Sequence, residues 1–195
     1  MKNKYKLSGA LRLIGLMLAL FLTAQAHAYS YSEAGKEPLI EGREALIGAL
    51  LANDQKSAEQ ALELMIGELK QLEESMSLEL ISPLKTAVGK GQRSNVIRLM
   101  NKTFAAEIKY RLNEAEASIN DYQKSKILVA KSKHFLGTII VELDDDDAEF
   151  AQDAINKCLK ALGNPGVFGA GKVPASLEQF KVAKDILFES LQQFE

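Results

Sequence analysis

From Ser94 to about Leu143 the chain contains no proline, and glycine occurs only at Gly137. Val96, Ile97, Met100, Phe104, Ile108, Leu112 and Ala115 recur there at steps of three and four. That spacing sets them on one face of an α-helix, because such steps return to nearly the same angle around the axis. Arg98, Lys102, Lys109, Arg111 and Glu114 fall mostly off the stripe. A break is expected at Asn120-Asp121, after which Tyr122, Leu128, Phe135, Leu136, Ile139 and Ile140 resume the helical spacing. So wide an apolar stripe needs other helices to cover it, and the rest of the chain reads as those covers.

Before this hub, Glu37-Pro38 marks a helix start, since proline is tolerated in the first helical position. Leu39, Ile40, Leu46, Ile47, Leu50 and Leu51 form the apolar side of that helix, and Asn53-Asp54 ends it. Asp54 then caps a second helix carrying Ala58, Leu62, Met65, Leu69, Leu72 and Met76. Ser82-Pro83 is expected to break the chain ahead of a short helix with Leu84 and Val88, closed by Gly89 and Gly91. After the hub, Asp144 to Asp147 open a helix with Phe150, Ala154, Ile155 and Leu159 inward. Gly163-Asn164-Pro165-Gly166 closes it. Ser176 and Gln179 have the spacing of a capping box for a last helix, whose inner face is Leu177, Phe180, Ala183, Leu187, Leu191 and Phe194. No segment reads as a strand. The expected fold is an all-α bundle of about six helices, with residues 29–195 as one domain.

Residues 1–28 are excluded from that bundle. Lys2, Lys4, Lys6 and Arg12 form a positive leader, Leu13 to Thr23 is apolar, and Ala26-His27-Ala28 is an A-x-A cleavage site. The apolar run is shorter than the roughly 20 residues of a membrane helix. The pattern is that of a secretory signal peptide, which implies a periplasmic or secreted protein with no membrane span after cleavage. The whole chain carries a formal net charge of −2, and loss of the basic leader makes the remainder more acidic. That balance argues against nucleic-acid and anionic-lipid partners. With Cys158 the only cysteine, no internal disulfide can form, so packing must supply stability.

Chemistry is sparse. Gly166-Val167-Phe168-Gly169-Ala170-Gly171-Lys172 matches G-x-x-x-x-G-K, but Val173 stands where a nucleotide-binding loop needs Ser or Thr, and no strand precedes it. The competing reading is a connector whose Val167 and Phe168 plug the end of the bundle. Asp144, Asp145, Asp146 and Asp147 offer oxygens to a hard cation such as iron or another divalent or trivalent ion. The same residues suit a helix N-terminus, where negative charge meets free N–H groups. Glu41 and Glu44, one turn apart, make a second candidate metal pair, with Arg43 between them able to pair with a carboxylate. Glu73, Glu74 and Glu79 are ambiguous in the same way. His134 reads as a half-buried helix residue, since Lys131 occupies the position where a di-iron Glu-x-x-His pair needs Glu. Cys158 lies near an apolar helix face and reads as an inert buried thiol. Without a nucleophile–base pairing the chain is not expected to be an enzyme; an enzyme of unknown class is the remote alternative.

Two stretches carry a resemblance. Ala61 to Gly91, in particular Leu69-Lys70-Gln71-Leu72-Glu73-Glu74 and Leu84-Lys85-Thr86-Ala87-Val88-Gly89, and Leu162 through Gly169 on to Phe180, are similar to the helical extracytoplasmic region that precedes the membrane domain in some bacterial high-affinity iron/lead permeases. The family's membrane helices are missing here. In Arg43-Glu44-Ala45-Leu46-Ile47, Ile47 stands where its Arg-Glu-x-x-Glu motif has a second Glu. The resemblance implies an accessory helical module near metal uptake, not a transporter. The expected function is a non-enzymatic binding module for a protein or small molecule of the cell envelope, with a carboxylate metal-binding protein as the alternative.

Overall fold

The structure is a computed structural model that describes residues 37–166 and 171–195. The chain divides into two units, Met1–Glu37 and Pro38–Glu195. The signal-peptide residues 1–28 and the expected plug at Val167 and Phe168 lie outside the described residues. The second unit holds seven α-helices among the described residues: α1 (Pro38–Leu51), α2 (Gln55–Met76), α3 (Ile81–Gly89), α4 (Arg93–Ala117), α5 (Tyr122–Ile139), α6 (Asp145–Ala161) and α7 (Leu177–Ser190). Short 3-10 turns at Ile140–Glu142 and Gln192–Phe194 follow α5 and α7. No strand occurs among the described residues; Asn164 and Val173 form one isolated bridge.

The all-α bundle follows the periodicity, and the hub splits where expected. Ser118 caps the carboxyl end of α4, while the Asp121 side chain accepts the Lys124 N–H at 3.1 Å and starts α5. Helices α1 with α2, α4 with α5, and α6 with α7 form the closely packed pairs. Only α4 acts as hub, since it also meets α1, α2, α3, α7 and the Gln192–Phe194 turn. Enclosed on every side, its middle is buried almost continuously from Thr103 to Ile108. Phe104 of α4 and Phe135 of α5 meet edge-to-face with centroids 4.9 Å apart, a favoured aromatic geometry, at the centre of the core.

Local chemistry explains the helix ends. Asp54 accepts the Ser57 N–H at 3.0 Å and the Ser57 hydroxyl at 2.6 Å, as expected for its capping role. Ser176 Oγ accepts the Gln179 N–H at 3.3 Å and starts α7. The break after α2, however, falls at Ser77, which adopts a left-handed conformation with φ of 53°. Ser82 and Pro83 instead sit inside the first turn of α3, where a missing N–H costs no helical hydrogen bond. Glu73, still within α2, supplies that turn with an acceptor: its Oε1 lies 2.6 Å from the Leu80 nitrogen and 2.8 Å from that of Ile81.

Three expected inward residues face out. Leu51 is 58 % exposed, Phe150 57 % and Leu177 42 %. Leu51 and Leu177 are the last residue of α1 and the first of α7, where the periodic stripe outruns the partner that covers it, whereas Phe150 lies in the second turn of α6. In α1 the buried line is Leu39, Ile40, Gly42, Leu46 and Leu50, so Leu51 is one position too far round. In α6 the buried line is Ala151, Ala154, Ile155, Cys158 and Ala161, a narrow face of mostly small residues that brings α7 close and leaves Phe150 outside.

Candidate functional site

Burying α4 all round forces its polar residues inward. Thr103 satisfies itself by donating to the Leu99 carbonyl at 2.9 Å. Glu107 accepts from Arg111 one turn on, and the Arg111 guanidinium lies 4.8 Å from the Phe135 centroid. Asn101 is 4 % exposed and faces α1, where Arg43 turns into the bundle.

Arg43 is under-supplied with acceptors. Its Nη2 donates to Asn101 Oδ1 over 3.4 Å, and its guanidinium carbon stands 5.7 Å from the Phe104 centroid. Its Nε is shut off from water and has no hydrogen-bond partner. A buried donor left unpaired costs free energy comparable to a lost hydrogen bond. Burial pushes the Arg43 pKa down, while the charges of Glu142 and Glu44 pull it back up.

On the far side of Asn101 opens a cleft of about 350 Å³, lined by Ser94, Ile97, Arg98, Asn101, Glu142, Gln193 and Phe194. The first half of α4 forms one wall and the two 3-10 turns form the other. Gln193 Nε2 donates to the Glu142 carbonyl at 2.7 Å and ties those turns together. Because Arg43 must donate, the atom of Asn101 that it meets is the oxygen, so the amide orientation is set by chemistry. The Asn101 NH2 then has no partner among the described residues. The Glu142 carboxylate likewise makes no hydrogen bond among them.

The acidic candidates are placed elsewhere. Asp144 is the N-cap of α6, with no side-chain capping bond, and Asp145, Asp146 and Asp147 fill its first turn. Asp144, Asp145 and Asp146 are exposed and Asp147 half-buried, and all act on the helix through its dipole. Glu41 and Glu44 are exposed on α1, so of that trio only Arg43 enters the bundle. No group of three or more His, Cys, Asp or Glu among the described residues can hold a metal ion. Glu73 is a helix cap, and Glu74 and Glu79 are exposed. His134 is exposed instead of half-buried, since α5 turns Val129, Ser132, Phe135, Leu136 and Ile139 to the core. Cys158 is fully buried, and loss of hydration pushes its thiol pKa up to about 12, so it remains protonated and a poor nucleophile. The glycine-rich segment fails the nucleotide-loop test on either side: helix α6 precedes it, and α7 starts only at Leu177, well past Lys172.

The sequence reasoning missed Asn101, Glu107 and the inward turn of Arg43. Asn101 carried a signal, because it lies four residues after Ile97 and three before Phe104, on the hydrophobic stripe itself. The described residues thus define an all-α helical bundle with one under-satisfied polar contact beside a small cleft. No helix among them is long and apolar enough to cross a membrane. None of the protein-family models, curated proteins or solved structures compared with the chain matches it.

Proposed function

We propose that this protein is a non-enzymatic helical binding module of the cell envelope, periplasmic or secreted, that serves as an accessory to the uptake of iron or another metal. The leader pattern of residues 1–28 supports the compartment, and the resemblance to the iron permeases supports the setting. The observation that carries the binding role is the pairing of Arg43 and Asn101. Arg43 keeps one buried donor, its Nε, unanswered behind Asn101, and Asn101 lines an open cleft with an amide NH2 that has no partner among the described residues, which suits a site awaiting an acceptor.

The test is recovery of the protein from its own cell envelope, followed by native mass spectrometry and metal analysis. A small molecule or partner chain retained on the folded protein and released on denaturation is the expected result. Protein recovered bare, with no partner captured by crosslinking in intact cells, overturns the reading. The same material tests the carboxylate alternative: ferric iron, copper or calcium bound at Asp144 to Asp147 or Glu41/Glu44 would raise the melting temperature by linkage.

A further inference from the structure

Resting on that binding role, we infer that the cleft beside Asn101 takes a small zwitterion of the free amino-acid type. Its carboxylate meets the Asn101 amide and the Arg98 guanidinium, and its ammonium meets Glu142. Four features of the cleft converge on that ligand.

The first is the Asn101 amide. Arg43 holds its oxygen from behind, so the group it offers to the cleft is a pair of N–H donors without partners. Arg43 is therefore a positioning residue that fixes which end of the amide a ligand meets. The second is the charge at the rim. Arg98 spends Nη2 on Asn95 Oδ1 at 2.9 Å and keeps its other N–H groups for a charge-assisted bond to a carboxylate. The third is Glu142, held in place through its own carbonyl by Gln193 while its carboxylate makes no hydrogen bond. A simple anion would be opposed by Glu142, and a simple cation by Arg98 with Arg43 behind it. A molecule carrying both charged groups on one carbon satisfies both walls. The fourth is size and surface. At about 350 Å³ the cleft is at the small end of ligand sites, and Ile97 and Phe194 give it a short apolar side.

The experiment is calorimetric titration of the exported full chain with L-leucine, N-acetyl-L-leucine and L-leucinamide. L-leucine should bind. Each blocked form should bind at least about tenfold more weakly, the weight of one charge-assisted hydrogen bond. Glu142→Gln should weaken L-leucine by a similar factor without altering N-acetyl-L-leucine, which has no ammonium to place. Asn101→Asp keeps the shape and the Arg43 contact but replaces the donors with an acceptor. It should remove L-leucine binding while the helical circular dichroism is retained; because Asn101 is buried, the surface variant Glu142→Gln carries the test if Asn101→Asp unfolds. Blocked forms that bind as well as L-leucine, or a Glu142→Gln variant that binds L-leucine unchanged, overturn the inference. Absence of binding by all three probes overturns it as well. A native ligand retained on the envelope protein together with failure of L-leucine removes only the zwitterion, whereas failure of both removes the binding role too.

Discussion

Substituting Gly42 tests how α1 is seated, and with it the placement of Arg43. Gly42 is buried in the middle of α1, where a residue with Cβ is normally a better helix former by about 1 kcal/mol. Here a Cβ would stand 2.3 Å from Met65 Cγ and 2.5 Å from its Sδ. Ordinary contact begins near 3.4 Å, so about 1 Å of movement is required of a side chain that is 0 % exposed on α2. Overpacking of that kind costs roughly 1–3 kcal/mol, so Gly42→Ala should lose a net amount on the order of 1 kcal/mol. In a domain of this size that corresponds to about 2–4 °C in melting temperature. Gly48 and Gly67 supply internal controls, because a Cβ at either meets nothing within 4 Å. Gly48→Ala and Gly67→Ala should each gain up to about 1 kcal/mol. Guanidinium unfolding of the three variants, and of Gly42→Ala with and without Met65→Ala, measures the coupling directly. In the Met65→Ala background the obstructing atoms are gone, so Gly42→Ala should turn from destabilising to stabilising. If Gly42→Ala is as stable as Gly48→Ala, or if its cost is the same without the Met65 side chain, α1 does not rest on α2 in this way.

Three further outcomes follow from the same packing. Gly163 has φ of +71°, and a Cβ there would come within 2.3 Å of the Val173 carbonyl oxygen, so Gly163→Ala should be much the worst of the glycine substitutions in thermal unfolding. Glu73→Ala should cost about 1–2 kcal/mol by uncapping α3, while Glu74→Ala, exposed one residue on, should stay within about 0.5 kcal/mol; equal effects in denaturant titrations would dismiss the cap. Native protein should resist thiol reagents at pH 8 and react once unfolded. Because the folded Cys158 pKa is raised to about 12 from 9.0, its contribution to stability is complete below pH 9 and is lost as pH rises toward 12. The stability difference between wild type and Cys158→Ala should therefore shift against wild type across that alkaline range, and a constant difference would refute the buried thiol.

Helix identity and most helix ends were legible because they rest on local physics. The three- and four-residue recurrence through Ile97, Met100, Phe104, Ile108, Leu112 and Ala115 can be satisfied only by a helix with a covered face. Asp54, Asp121 and Ser176 cap their helices with atoms that lie within three residues of the N–H groups they accept. Errors appear where the outcome depends on a distant partner. Leu51 and Leu177 continue a stripe past the end of the element that covers it, and no periodicity records where a neighbouring helix stops; Phe150 lies beside a buried face of α6 narrower than its apolar stripe. Glu73 and Arg43 each looked like one of several surface charges, because the N–H groups of Leu80 and Ile81 and the amide of Asn101 meet them only after the chain has turned.

By itself, then, the amino-acid order determined an all-helical chain, a break at Asn120-Asp121, and a long stretch able to serve as hub, since backbone hydrogen bonding and side-chain periodicity act within a few residues. Tertiary structure decided that α4 alone is enclosed. It also decided that enclosure turns Asn101 and Glu107 inward, and that a cleft opens where the first half of α4 meets the turns at Glu142 and Gln193. The physical reason is that burial of a polar group belongs to the assembled packing: whether Asn101 meets water, Arg43 or a ligand depends on residues far along the chain, Arg43 among them 58 positions away, and only folding brings them together.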